Sequence, residues 1–213
     1  MKAVLRICLT FFWLAMLPAE GRAPEKWVEY ADATLSPARQ ADGDSFAMEW
    51  KSPKGRKITR TFRLYGADCP ESDANDPVLK GRIMEQAQHF GVKPEAIPGL
   101  GKQAAEFTKK LLTDGKPLIR TFGGYGEKTQ KAPGRPQRYY ALVEVMGPDG
   151  KRHWLHELLL EAGLARAFGK GAPWPAEEVK RHGEKEAGEK FEKDLKRIET
   201  KAERERRGAW NRP

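Results

Sequence analysis

Phe46, Met48 and Trp50 alternate with Ala47 and Glu49, the period of a half-buried strand. Ser52-Pro53-Lys54-Gly55 is turn chemistry. Ile58 to Tyr65 reads as the returning strand, with Ile58, Phe62 and Leu64 on one face and Arg60 interrupting it. The two runs predict a β-hairpin. Before it, residues 34–40 read as a first strand or its approach, and residues 22–33 as a short flank. After it the period changes. Ile83, Met84, Ala87 and Phe90 have helical spacing and predict a helix over about Leu79–Phe90. Gly101 opens a second helical pattern carried by Ala104, Ala105, Phe107, Leu111 and Leu112. Pro117–Phe122 and Arg138–Val145 read as strands, separated by a polar, Gly/Pro-rich loop over 123–137. Gly147-Pro148-Asp149-Gly150 is a turn. His153–Ala162 is apolar on one face and stops at Gly163, and Leu164–Phe168 reads as a short strand. From about Ala176 to Arg207 the chain is a charged helix with a sparse stripe of Phe191, Leu195 and Ile198, its end pinned by Trp210. There is no internal repeat.

The N-terminus changes this picture. Lys2 and Arg6 flank the start of an almost wholly apolar run, Ile7 to Leu17, and small residues follow at Ala19, Gly21 and Ala23. This pattern predicts a secretory signal over residues 1–21, cut after Ala19 or Gly21; the run is short for a bilayer span. The expected location is secreted or periplasmic, with no stable membrane anchor. Residues 34–213 are then one domain. Loss of the signal removes Cys8 and leaves Cys69 without an intramolecular partner, so the fold must rest on its core. The 39 Lys and Arg against 30 Asp and Glu give a net charge of +9, which favours polyanions such as nucleic acid or an anionic membrane face.

The chemistry gathers at the hairpin. Asp42-Gly43-Asp44-Ser45 precedes its first strand, and Arg63-Leu64-Tyr65-Gly66-Ala67-Asp68-Cys69-Pro70-Glu71 closes its second. Clustered carboxylates often hold a hard cation, and an arginine among them often faces a phosphate. Together they point to metal-assisted attack on a phosphodiester. If Asp44 pairs with Leu64, a strict period of two puts Asp44 and Arg63 on opposite faces; a bulge or a one-residue slip brings them together. Cys69 has no histidine partner in the sequence and reads as a small, partly buried residue rather than a nucleophile. His153-x-x-His156 has the look of a metal pair but lies in an apolar helical pattern without a third ligand, so it reads as structural or surface.

In order and spacing, these segments resemble the staphylococcal nuclease (thermonuclease) family from about Thr34 to Trp210. The motifs that carry the likeness are Asp42-Gly43-Asp44-Ser45, Phe62-Arg63-Leu64, Asp68-Cys69-Pro70-Glu71, Gly101 with Ala104 and Phe107, Arg138 with Ala141, and Asp149-Gly150 leading to Glu157 and Ala162-Gly163-Leu164-Ala165. The resemblance implies an α+β, β-rich fold: a five-stranded OB-fold barrel decorated with helices, with the long charged C-terminal helix beside it. It implies cleavage of DNA and RNA with Ca²⁺. Asp44 and Asp68 match the metal carboxylates, and Cys69 stands where the family uses a backbone carbonyl as ligand. Glu71 matches the carboxylate that acts as general base or organises the attacking water. Arg63 and Arg138 match the two phosphate-gripping arginines, with Arg135 a rival for substrate binding. The chain departs from the pattern in an insertion near 79–98. It also has Gly134-Arg135-Pro136-Gln137 where a lysine–tyrosine pair is usual, and Phe168-Gly169 near the place of a late tyrosine.

The residue types suit the reaction. A phosphodiester repels hydroxide, so catalysis must neutralise its non-bridging oxygens and deprotonate water. Guanidinium stays charged near neutral pH, so Arg63 and Arg138 act electrostatically, not as acids. A phosphate grip is blind to sequence. The expectation is therefore an exported Ca²⁺-dependent nuclease with little sequence specificity. The alternative is a noncatalytic OB-fold module that binds single strands.

Overall fold

A computed structural model describes residues 27–37, 43–122, 128, 137–147, 149–169, 171 and 184–211. The signal segment, Asp42, Arg135 and most of the 123–137 loop lie outside the described residues.

The strands are β1 (Trp27–Tyr30), β2 (Thr34–Leu35), β3 (Ser45–Lys51), β4 (Lys57–Leu64), β5 (Ala67–Asp68), β6 (Leu118–Phe122), β7 (Arg138–Met146), β8 (Arg152–Trp154) and β9 (Arg166–Ala167). The helices are α1 (Lys80–Phe90), α2 (Ile97–Asp114), α3 (Leu155–Glu161) and α4 (Glu184–Arg204). Helices and a mixed sheet make the fold α+β. The main sheet runs β1-β6-β7-β4-β3-β2, with β8 beside β7, and a small separate pair joins β5 to β9. All pairings are antiparallel except β4 with β7. The hydrogen-bonded path among the described strands is open at β1 and β2.

The predicted hairpin forms, with Ser45 opposite Arg63 and Trp50 opposite Ile58. Its first strand does not alternate as expected: Phe46, Ala47 and Met48 are all buried, because both faces of that end of the sheet are covered. The 22–33 flank contains a strand, β1, held across β6 with Trp27 opposite Phe122. The second helix starts at Ile97 rather than Gly101, since Pro98 stands in its first turn, where a fixed φ and a missing N–H cost nothing. The run from His153 begins extended along β7 and turns helical only at Leu155.

The segment expected as an insertion, 79–98, contains a well-made helix, α1. Asp76 Oδ1 accepts from the Val78 amide at 2.9 Å, and Pro77 opens the turn before α1. Gly91, at φ 65°, closes α1 with its amide directed at Ala87 and Gln88 carbonyls. Ile83, Ala87 and Phe90 bury one face against Ala202, Ala209 and Trp210, a second core apart from the main one. The Phe90 and Trp210 rings meet edge to face at 4.9 Å. Trp210 thus pins the chain end, and what it pins against is the insertion. The main core joins Phe46, Met48, Phe62, Leu64, Val143, Leu155 and Leu159 to Phe191 and Leu195 of α4. Among the described residues no helix is long and apolar enough to cross a membrane.

His156 of α3 is buried between the Trp154 and Phe191 rings. Burial lowers its imidazole pKa from 6.5 to about 3, so it is neutral in the folded protein. A depressed folded pKa gives stability that is whole above about pH 6.5 and is lost as pH falls toward 3. One such group adds at most about 1.4 kcal/mol per pH unit to the acid slope. Urea midpoints measured from pH 7 to pH 4 should therefore fall less steeply in His156→Phe than in the wild-type chain.

Candidate active site

Backbone geometry brings the expected residues to one end of the hairpin. Ser45 is the first residue of β3 and faces Arg63 of β4. Arg138 opens β7, whose parallel register sets it beside Thr61. Asp68 ends β5, opposite Arg166 of β9. Glu71 follows on the loop, and α2 passes so close that a Cβ at Gly101 would lie 2.6 Å from the Glu71 carbonyl oxygen. Gly43 has the same role: a Cβ there would meet Cys69 Sγ at 2.6 Å and Ala104 at 2.8 Å. These two glycines are where the chain can be pressed against the site loop.

The question of shared faces resolves without a bulge or slip. The Leu64 amide donates to the Asp44 carbonyl at 2.9 Å, so Asp44 does lie opposite Leu64. Yet Arg63 Nη1 donates to Asp44 Oδ1 at 2.6 Å. Asp44 sits in the bend ahead of β3, where strict alternation no longer governs its side chain.

Arg63 links the two aspartates, its Nη2 donating to Asp68 Oδ1 at 2.5 Å. Asp44 Oδ2 accepts from the Cys69 amide at 2.7 Å, and the Ser45 hydroxyl donates to Asp44 Oδ1 at 3.0 Å. Arg138 Nη1 reaches the same hydroxyl at 3.1 Å and Arg63 Nη1 at 3.5 Å, so the two arginines converge on Ser45. Three groups outside the expected set complete the cluster. Arg82 of α1 pairs with both Asp68 Oδ1 and Glu71 Oε1. Arg166 Nε donates to Asp68 Oδ2 at 2.8 Å, while its Nη1 holds Glu85 at 2.9 Å. Gln86, fully buried, uses its whole amide: Nε2 donates to Asp68 Oδ2 at 3.1 Å and to the Cys69 carbonyl at 2.9 Å, and Oε1 accepts from the Glu71 amide at 2.9 Å.

Charge follows from this packing. Burial pushes the Asp68 carboxyl up, but Arg63, Arg82, the Gln86 amide and Arg166 outweigh it and hold it below the usual range. Glu71 goes the other way: burial raises it, Arg82 draws it down, and Asp44 and Asp68 raise it again, for a net increase. Burial also opposes the charge on Arg63, yet Asp44 and Asp68 raise its pKa overall. Arg138 is lowered, first by burial and then by the nearby Arg63 charge. Two guanidiniums pressed together form a place that an anion would relieve.

The donors expected to hold Ca²⁺ do gather. Their oxygens are nevertheless claimed: all four aspartate oxygens of Asp44 and Asp68, and the Cys69 carbonyl, accept from protein N–H or O–H groups or pair with a guanidinium. Arg63, Arg82, Arg138 and Arg166 stand among Asp44, Asp68, Glu71 and Glu85, which leaves no negative surplus among the described residues. Ca²⁺ seeks six to eight oxygens at 2.3–2.6 Å, roughly the reverse of this environment. In this arrangement the set does not fit the ion.

Cys69 is buried and packs against Gly43 and Ala104, as a small residue does. His153 and His156 diverge: His153 Nε2 contacts Asp149 Oδ1 at 2.9 Å at the surface, while His156 is in the core. Arg82, Gln86 and Arg166 carried only weak sequence signals. Gln86 interrupts the apolar face of α1, and Arg166 interrupts the run Leu164–Phe168; a polar side chain at a core position must have a buried partner.

Removing the Asp68 carboxylate would leave Arg63 and Arg166 short of their shared buried counter-charge. Asp68→Ala should lower unfolding free energy by about 3–5 kcal/mol in urea titration, against less than about 1 kcal/mol for an exposed pair such as Lys190–Asp194. No family model matches the chain, and no curated protein matches it.

Proposed function

We propose that the protein is an exported phosphodiesterase that hydrolyses DNA and RNA with little sequence preference, a nuclease of the thermonuclease pattern. The convergence of Arg63 and Arg138 on Ser45, beside buried Asp44, carries this reading. Two guanidiniums so placed match the two non-bridging oxygens of a phosphodiester, where negative charge grows in the transition state. Glu71 lies in the same field, and its raised pKa suits a group that takes a proton from water. In the step proposed, the water oxygen bonds to phosphorus as its proton passes to Glu71. The bond from phosphorus to the leaving ester oxygen breaks, and that oxygen takes a proton from solvent.

An OB-type barrel belongs to the same proposal. Only residues 31–33 separate β1 from β2. Read as one bent strand, they would join the two ends of the open path β1-β6-β7-β4-β3-β2 and make a ring of five strands. Export is supported by the apolar run Ile7–Leu17 after Lys2 and Arg6. The net charge of +9 favours a polyanionic substrate.

The purified protein should cut single-stranded DNA, duplex DNA and RNA. Arg138→Ala should lower kcat/KM by about 10²–10³, with Glu71→Gln falling by a similar factor; circular dichroism would verify that both variants are folded. Tight binding without cleavage of any of the three would instead assign a noncatalytic OB-fold module for single strands.

A further inference from the structure

The inserted helix α1 is the part of the fold for which the phosphodiesterase reading gives no reason. It is no loose appendage. Its apolar face is buried against Trp210, and Gln86 is locked by three hydrogen bonds to the site loop. Four residues before Gln86 on this anchored helix stands Arg82, which bridges Asp68 and Glu71.

Three guanidiniums touch Asp68, and they differ in access. The Arg63 side chain is 13% exposed and the Arg166 side chain 4%, but Arg82 is 33% exposed. Arg166 is enclosed, and Arg63 keeps only a small accessible edge. Arg82 is the most accessible of the three, so an incoming phosphate can share it. Arg166 also keeps an Nη2 that makes no hydrogen bond among the described residues.

We propose that Arg82 takes the place of the divalent cation in this site, so that a phosphodiester is bound and held by Arg63, Arg82 and Arg138 without a metal ion. The inference rests on the phosphodiesterase reading for its substrate but not for its charge arrangement. A fixed guanidinium neutralises Asp68, one of the two carboxylates expected to hold the ion, together with the neighbouring Glu71, and it presents further N–H donors to the phosphate. A dication placed among the same oxygens would stand against three guanidinium charges in a buried setting, where screening is weak.

Calcium chloride melting tests the charge arrangement apart from catalysis, because an ion that binds only the folded state raises Tm. The wild-type chain should show no Ca²⁺-dependent rise in Tm, and neither should Arg82→Lys, which keeps the charge. Arg82→Ala, at a partly exposed position, should acquire one. Cleavage by the wild-type chain should persist in excess chelator. A Ca²⁺-dependent rise in the wild type, no rise in Arg82→Ala, or cleavage abolished by chelator would overturn the proposal. Absence of cleavage under every condition would sink the phosphodiesterase reading, while the melting series would still decide what Arg82 replaces.

Discussion

Asp68 has no surface in contact with water, and a carboxylate so placed must find its counter-charge within the protein. The elements around the site are arranged to supply it. Arg63 comes from the hairpin, Arg166 from β9, and Arg82 and Gln86 from α1. Three segments, the hairpin, α1 and β9, therefore share one buried anion. Such a cluster is weak as a source of net stability, because desolvation offsets much of the Coulomb attraction. Its consequence is specificity of position: each segment has only one place where its charge is satisfied.

That constraint explains the close approaches. The Asp68–Glu71 loop is clamped between α1 and α2, and the clamp tolerates no Cβ at Gly43 or Gly101. Thr108 of α2 adds a hydrogen bond to the Gly43 carbonyl at 2.6 Å. The second core, built by α1 with Ala202, Ala209 and Trp210, ties the C-terminal end to the same clamp. Glu199 of α4 continues the link, accepting from the Ala167 amide at 3.1 Å next to Arg166 and lying 2.9 Å from His89 Nε2 of α1. Burial pushes the Glu199 carboxyl up, but His89, Lys196 and the Ala167 amide outweigh it and hold it low. The insertion and the charged terminal helix form one support behind the site.

The chemical meaning of the cluster depends on what neutralises it. The same aspartates and carbonyl would form a hard-cation site if their oxygens faced an opening. Here they face guanidiniums and an amide, and the positive charge belongs to the chain itself. Burial and the nearby Arg63 charge both oppose the charge on Arg138, and an anion placed between the two would favour it. A nucleic-acid backbone, the substrate proposed, is such an anion, and the basic balance of the whole chain favours the same class of partner.

By itself the sequence determined the hairpin, the two central helices and the terminal helix, because alternation of two and spacing near 3.6 are local properties of the chain. It also picked out Asp44, Arg63, Asp68 and Glu71, since charged groups beside turn residues stand out from an apolar pattern, whereas Arg138 was singled out only by the family resemblance. Tertiary structure alone decided that Asp44 and Arg63 meet despite unfavourable strand parity, because the side chain of Asp44 projects from a bend. It alone turned the 79–98 insertion into part of the site, for Arg82 and Gln86 acquire meaning only when α1 folds back onto the loop after β5. And it alone filled the coordination space of Asp68, because which donor reaches a buried carboxylate depends on three-dimensional distance, which spacing along the chain does not encode.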